Sequence, residues 1–330
     1  AYLNLSGNAW SEAVEIDPFF PTAQPSKVTV TDLTGSGTSS IVWSSELPAF
    51  RGAPMLYIDL MGGVKPHILK TFENGFGKKT ELEYKSSTHF YLEDKIKGRP
   101  WITKLAFPVQ CVAKIVVSEE VTKVRLTTEY NYHHGFFDHA EKEFRGFGRV
   151  DQLDTEHFET AEKTAAGNAV AKEQRQSPVL TRTWFHTGAF LEKDRILTHF
   201  KKEYWTEELK NTTVRSHEFE LPDARLKTAA DLADFDVETL STGERREVVR
   251  ACKGMVLRQE IFGLDAAERI AEEQRAKGYD ANDPAFLAFQ TEARKTELMP
   301  YSVATHNCEV RLLQARGKNR YASFLVREGE

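Results

Sequence analysis

Tyr130-Asn131-Tyr132-His133-His134-Gly135-Phe136-Phe137-Asp138-His139-Ala140-Glu141-Lys142-Glu143-Phe144-Arg145-Gly146-Phe147-Gly148-Arg149-Val150 is the stretch on which the reading of this fold turns. Leading into it, Val124, Leu126, Thr128, Tyr130 and Tyr132 fall on one parity with mostly polar residues between them. That is the period-two signature of a half-buried strand. Phe144 to Val150 reads as another strand, and its glycines, Gly146 and Gly148, predict a bulge or a close backbone approach. Three histidines and two nearby acids invite a metal or acid–base reading, but the spacing argues against it. Adjacent His133 and His134 on a strand point to opposite faces, and a helix-borne pair of metal ligands needs a gap of about four residues. Turn and packing roles are expected instead. The Tyr and Phe content suits packing, and Arg145 with Glu141 is expected to form a structural ion pair.

The same pattern extends outward in both directions. Thr80-Glu81-Leu82-Glu83-Tyr84 alternates, Gln110 to Val117 is β-branched, and Gly75, Gly77, Gly98 and Pro100 punctuate turns. Residues Met61 to Glu156 are therefore expected to be mostly β. Toward the N-terminus, Lys27–Thr31 and Ile41–Trp43 read as strands flanking a glycine-rich loop. Toward the C-terminus, Arg182–His186, His199–Trp205, Val214–Phe219, Met255–Leu264, Tyr301–Leu313 and Arg320–Val326 read as strands, with Gly317-Lys318-Asn319 as a hairpin turn. Ala161–Gln176 is a candidate helix or linker, and Pro222–Asp236 can hold a short helix. Ser241-Thr242-Gly243-Glu244 is a capping-box signature, followed by the stripe Val248, Val249 and Cys252 and a stop at Gly254. Asp265 to Ala276 predicts a helix ending at Gly278, and Asp283-Pro284 opens another with Pro at its first position. Strands come in consecutive runs, not in βαβ alternation, so the fold class expected is mainly β with a few surface helices.

Composition excludes several functions. The 330 residues carry 44 basic and 49 acidic side chains, a net charge of −5, whereas a dedicated nucleic-acid binder is usually basic. No apolar run approaches the roughly 20 residues of a membrane-spanning helix. Cys111, Cys252 and Cys308 are odd in number and widely spaced without a C-x-x-C pair, so a cysteine zinc site is not expected. Asp32-Leu33-Thr34-Gly35-Ser36-Gly37-Thr38 has the spacing of a calcium loop, but Asp32 is its only acid, and calcium needs several carboxylate oxygens; it reads as a turn. Glu93 and Asp94, with Asp59 upstream, could be offered as paired carboxylates, yet nothing fixes their separation. Ser86-Ser87-Thr88-His89 has no triad context. There is no nucleophile elbow and no dinucleotide glycine fingerprint. No enzyme, and no cofactor, is expected from the residues.

Several segments resemble the B component of the Tc insecticidal toxin complexes, the virulence plasmid B family. They are Asn4–Ser11, Asp32–Gly37, Leu60–His67, Phe90–Lys95, Gly98–Trp101, Phe107–Gln110, Thr181-Arg182-Thr183-Trp184-Phe185-His186-Thr187-Gly188 and Arg311–Gln314, with Tyr130 to Val150 the strongest. The resemblance implies structural roles for Tyr130, Tyr132, His133, His134, Gly135, Asp138, Glu141, Phe144, Arg145, Gly146, Phe147, Gly148, Trp184 and His186, in a segment similar to the tyrosine-rich strands of RHS repeats. It implies that residues 1–60 are the terminal part of a β-propeller, 61–160 a middle β region, and 161–330 an RHS-like shell region with a helical insertion around 265–296. That insertion is expected to be surface decoration, with a partner contact as the alternative. It also implies a secreted, non-enzymatic component that encloses a toxic effector in a hollow shell. The implied partners are the C component, which carries the RHS repeats and the toxin, and the pore-forming A component reached through the propeller. Family members are much longer, so the chain is expected to be a middle section or a truncated relative. Two other readings stay open: a secreted propeller-containing binding module, and an enzyme using His133, His134, Asp138 and Glu141.

Overall fold

A computed structural model describes residues 1–16, 26–121, 124–158, 177–206, 225–226, 240–280 and 282–328. The chain divides into two compact units, Ala1–Ile68 and Leu69–Glu330. The division falls a little beyond the expected junction after residue 60.

In the first unit β1 (Asn4–Leu5) and β2 (Ala9–Trp10) form a small hairpin, and β3 (Ser26–Thr31), β4 (Ser40–Ser45) and β5 (Met55–Asp59) form an antiparallel sheet with β4 in the middle. Trp43 is its fully buried anchor, edge-on to Phe50 at 4.8 Å. The loop between β3 and β4 is the turn expected from its ligand deficit. Both oxygens of Asp32 accept backbone N–H groups within it, from Ser36 at 3.0 Å and Gly37 at 2.7 Å.

The second unit runs β6 (Thr71–Glu73), β7 (Lys78–Ser86), α1 (Ser87–Ile96), β8 (Gln110–Glu119), β9 (Val124–Asp138), β10 (Glu143–Phe158), β11 (Val179–Phe185), α2 (Lys193–Glu203), β12 (Arg225–Leu226), α3 (Thr242–Ala251), β13 (Val256–Gly263), α4 (Ala266–Lys277), α5 (Pro284–Glu297), β14 (Ser302–Thr305), β15 (Cys308–Gln314) and β16 (Ser323–Glu328). Eight of its strands make one antiparallel sheet in the order β14-β13-β11-β10-β9-β8-β7-β6. The sheet crosses the expected 160/161 boundary without a break, since β10 and β11 pair from Arg149↔Trp184 to Asp154↔Val179. A second sheet, β12-β15-β16, holds the chain's C-terminal strands. The fold is mainly β with antiparallel sheets, as expected; a propeller is not among what is described.

Four expectations about elements are corrected. Residues 87–96, inside a region read as β, form α1. His199–Trp205 is not a strand: residues 193–203 form α2, which buries Ile196 and Phe200 one turn apart. The strand read through Tyr301–Leu313 is two strands in two different sheets, separated at His306 and Asn307. Arg225 and Leu226, inside the expected short helix, are strand β12; the rest of that segment, Ala161–Gln176 and Val214–Phe219 lie outside the described residues. Three helix-end signals hold, whereas Asp265 ahead of α4 makes no side-chain cap bond. Ser241 and Glu244 close a reciprocal capping box, Asp283 accepts the Ala285 N–H ahead of Pro284, and Gly278 takes φ +63° at the end of α4.

Strand β9 does not alternate simply between buried and exposed. Leu126 is exposed, and His133, His134 and Gly135 are buried in succession, because side chains of α1 reach His133 and side chains of α2 reach His134. The bulge expected from the glycines is present: the β9–β10 register shifts between Phe144 and Phe147, with Gly146 at φ +84°.

Candidate functional site

The densest cluster of buried polar groups crosses the middle of the large sheet. Register places His133, Arg149, Trp184 and Arg258 in one transverse row and Asn131, Asp151, Arg182 and Glu260 in the next. Residues directly paired across strands, and those two apart along one, share a face, so the rows form a ladder. Two helices complete it. Asp94 comes from α1 and accepts from Trp101 Nε1 at 2.8 Å and from His133 Nδ1. Glu203 comes from the last turn of α2 and meets His134 Nε2 at 3.0 Å, Trp184 Nε1 at 3.1 Å and Arg149 Nη1 at 3.4 Å. Arg149 grips Asp151 with two bonds of 2.7 Å, the planar fork that makes arginine–carboxylate pairs strong. His133 Nε2 stands 3.7 Å from Asp151, a charge contact beyond hydrogen-bonding reach. Arg258 donates to Glu260 at 2.7 Å and lies 4.8 Å over the Tyr204 ring.

The electrostatics follow from this geometry. Burial raises the cost of charge on Asp151, but Arg149 and His133 outweigh it and hold the carboxyl well below its usual range. Burial likewise opposes charge on Glu203, and His134, Arg149 and Trp184 overcome it, bringing the carboxyl down to about 2. For His133, burial disfavours the imidazolium while Asp151 and Asp94 favour it, and the carboxylates win, so its pKa rises. His199 on α2 shifts the other way, lowered by burial and by the neighbouring His134. Asp94 and Asp151 face His133, and Glu203 faces His134. The arrangement suits holding helices to a sheet.

The four residues of the enzyme reading are not brought together. His133 turns to Asp94, His134 to Glu203, Asp138 to Arg145 at 2.9 Å, and Glu141 to Arg246 at 3.7 Å and Arg250 at 3.9 Å. The expected Arg145–Glu141 pair is thereby corrected. Asp138 wins because it sits directly across the β9–β10 turn, where its other oxygen also accepts the Ala140 and Glu141 N–H groups at 3.0 Å. Arg145 further donates to the Gly188 carbonyl. His133 and His134 do go to different partners, yet His134 is not in extended backbone, having φ +58°.

A different trio converges: the ligating atoms of His134, His199 and Glu203 lie within 4.8 Å of one another. Hydrogen bonding argues against a metal there. The Ile102 N–H donates to His134 Nδ1 at 3.2 Å, so in the neutral ring Nε2 carries the proton and donates to Glu203. A ligating histidine needs the reverse, a bare nitrogen toward the metal and N–H on the far side. Glu93 and Asp94 diverge, Glu93 pairing with Lys97 and Asp94 turning inward. Asp59 accepts the Met61 N–H in its own turn at 3.0 Å.

The other expected residues pack. Tyr132 donates to the Val112 carbonyl at 2.9 Å and lies 4.8 Å from Phe147; Tyr130 lies 6.2 Å from Tyr132; Phe144 lies 5.6 Å from Phe147. His186 Nδ1 accepts the Gly188 N–H at 2.9 Å. Sequence reasoning missed Arg149, Asp151, Glu203, Arg258 and Glu260, and weighed Asp94 only as a partner for Glu93. A signal existed: Arg149-x-Asp151 and Arg258-x-Glu260 repeat an opposite-charge pair at the same-face spacing of a strand.

A mainly antiparallel sheet with two helices pinned to it by a buried ionic ladder is the class of fold this site defines. Residues 8–188 match the family described as the insecticide toxin TcdB middle/N-terminal region, and residues 247–330 match the TcdB middle/C-terminal region. The chain belongs to this insecticide toxin TcdB family, through its middle region. Among solved structures it is similar to TcdB2-TccC3 (TM-score 0.70, 25% identity) and TcdB2-TccC3-Cdc42 (0.68, 25%), covering 99% of this chain and 13% of each of those chains. Its fold also matches the Photorhabdus luminescens Tc holotoxin pore (0.69, 24%), with the same coverage. The chain thus spans about an eighth of the chains it resembles. No curated protein matches it. Among the described residues no helix is long and apolar enough to cross a membrane.

Proposed function

We propose that this chain is the middle section of the B-type component of a secreted tripartite toxin complex, and that it works as wall rather than catalyst. In this reading the large sheet is part of a hollow shell built with the C component around a toxic effector. Residues 1–60 are the terminal part of a propeller that faces the pore-forming A component, 61–160 a middle β region, and 161–330 an RHS-like part of the shell. The observation that carries the reading is the match of 99% of the chain to TcdB2 in its complexes with TccC3. The buried ionic ladder supports it, since its charges are committed to structure.

The test is co-expression of the full-length protein containing this chain with a C component. The expected result is a complex that survives size exclusion and shields the effector region of the C component from added protease. Absence of the complex, with binding of the isolated protein to cell surfaces, would favour the binding-module reading. Hydrolytic activity lost on replacing His133 or His134 in a variant of unchanged stability would overturn the non-enzymatic assignment.

A further inference from the structure

We propose that Cys252 and Cys308 are a latent disulfide site, a buried thiol pair that a small-molecule disulfide converts into a cross-link while Cys111 remains a thiol. In sequence the three cysteines show no pattern. In the fold two of them fall in one buried cluster: Cys252, the C-cap of α3, and Cys308, the first residue of β15, are 0% and 1% exposed and share that cluster with Val310. Val248, one turn before Cys252, and Val326, paired with Val310, close around them. Cys252 donates weakly to the Val248 carbonyl at 3.6 Å.

The frame that carries the two sulfurs is tied on its polar side. Glu244 accepts the Arg316 N–H at 3.2 Å, and Glu247 accepts the Ala322 N–H at 2.8 Å, so α3 is bonded at two points to the β15–β16 connection. Cys111 belongs to a separate cluster with Phe90, Trp101 and Ala113, where burial pushes its thiol up to about 12. It has no cysteine beside it and serves as an internal control.

The reaction balances with oxidised glutathione as the oxidant. One cysteine thiolate attacks a glutathione sulfur, the glutathione S–S bond breaks, and one reduced glutathione leaves. The second cysteine thiolate then attacks the mixed disulfide, forming the Cys252–Cys308 bond and releasing the second glutathione. The two cysteine protons end on the two released thiols. Because both sulfurs are buried, reaction requires α3 to lift from the β15–β16 pair, so it is slow in the native protein and faster in mild urea. The closed loop would contain β13, α4, α5 and β14, a long segment whose unfolded freedom the bond restricts.

The experiment incubates the full chain with oxidised glutathione, with and without about 1 M urea, then denatures, alkylates and maps peptides. Expected is a fall from three alkylated cysteines to one, a cross-linked peptide pair containing Cys252 and Cys308, and a Tm rise of about 5 °C that dithiothreitol reverses. Cys252→Ala and Cys308→Ala should each abolish the cross-link and leave a glutathione adduct on the survivor. The peptide map of the unsubstituted chain stands whether or not those variants fold. Glutathione adducts on both cysteines without a cross-linked pair would overturn the proposal. So would three surviving thiols under urea conditions in which all three alkylate.

Discussion

Gly148 and Gly146 sit two residues apart and do opposite things. A Cβ on Gly148 would lie 2.4 Å from Phe200 Cζ and 3.2 Å from His134 Cβ, while one on Gly146 would meet nothing within 4 Å. Phe200 is fully buried, so its ring has nowhere to go. Gly148→Ala should therefore cost about 3 kcal/mol by overpacking. Gly146→Ala, strained only by φ +84°, should cost about 1 kcal/mol. Urea midpoints of the two variants check the order; equal losses would mean that α2 yields easily. Arg149 offers the complementary case. Replacing it with Met leaves Asp151 and Glu203 mostly buried without their shared cation, so a loss of about 3 kcal/mol or more is expected in the same assay. At this scale the sequence was half legible. The two glycines announced a bulge or a close approach, and each supplies one of them. The partners of His133 and His134 were not legible, since Asp94 and Glu203 stand far away in the chain.

Helix α2 shows why an element can be misread and what its position then does. Ile196, Phe200 and Tyr204 are spaced by four, which suits one side of a helix but is also an even number, so the apolar pattern of 199–205 fits a strand equally well. The capped helices escaped this ambiguity because Ser241 with Glu244, and Asp283 with Pro284, signal a helix start irrespective of periodicity. Removing the first of those signals, Ser241→Ala, should cost α3 about 1 kcal/mol, read as a lower midpoint with unchanged m-value. The docking of α2 should also depend on pH. His199 has a lowered pKa and faces His134, Glu203, Lys202 and Arg195. Its contribution is therefore complete above the free imidazole value of roughly 6.5 and is lost as pH falls through its lower folded value. Glu203, brought down to about 2, keeps its own contribution until much stronger acid. His133, with a raised pKa, behaves oppositely, losing its contribution as pH rises through that value. Amide exchange in α2, corrected for intrinsic rate, should thus lose protection as pH drops below the free imidazole value. His199→Gln should flatten that loss, whereas an unchanged profile in the variant would place the acid sensitivity elsewhere.

Across the whole molecule, the sheet carries its ionic ladder inside and leaves a strand edge and several apolar side chains outside. Antiparallel strand succession was legible because it depends on local periodicity. The order in which eight strands join was not, because β11 to β13 and β13 to β14 are joined over helices whose lengths say nothing about strand order. At one end of that order stands β14, with Leu298, Met299, Tyr301 and Val303 exposed on and just before it, Leu298 at 71% and Tyr301 at 67%. A terminal strand beside exposed apolar groups invites pairing with another chain. In a wall section these groups would be covered by neighbouring parts of the longer protein. In the 330-residue chain alone, self-association is expected. Size exclusion with light scattering should show a mass that climbs with concentration, and Leu298→Lys with Tyr301→Lys should return it toward the monomer, since an edge charge costs little in water and much in a strand pair. A monomer persisting at high concentration would mean that this edge is protected within the chain itself, and that the section is more self-sufficient than a piece of wall should be.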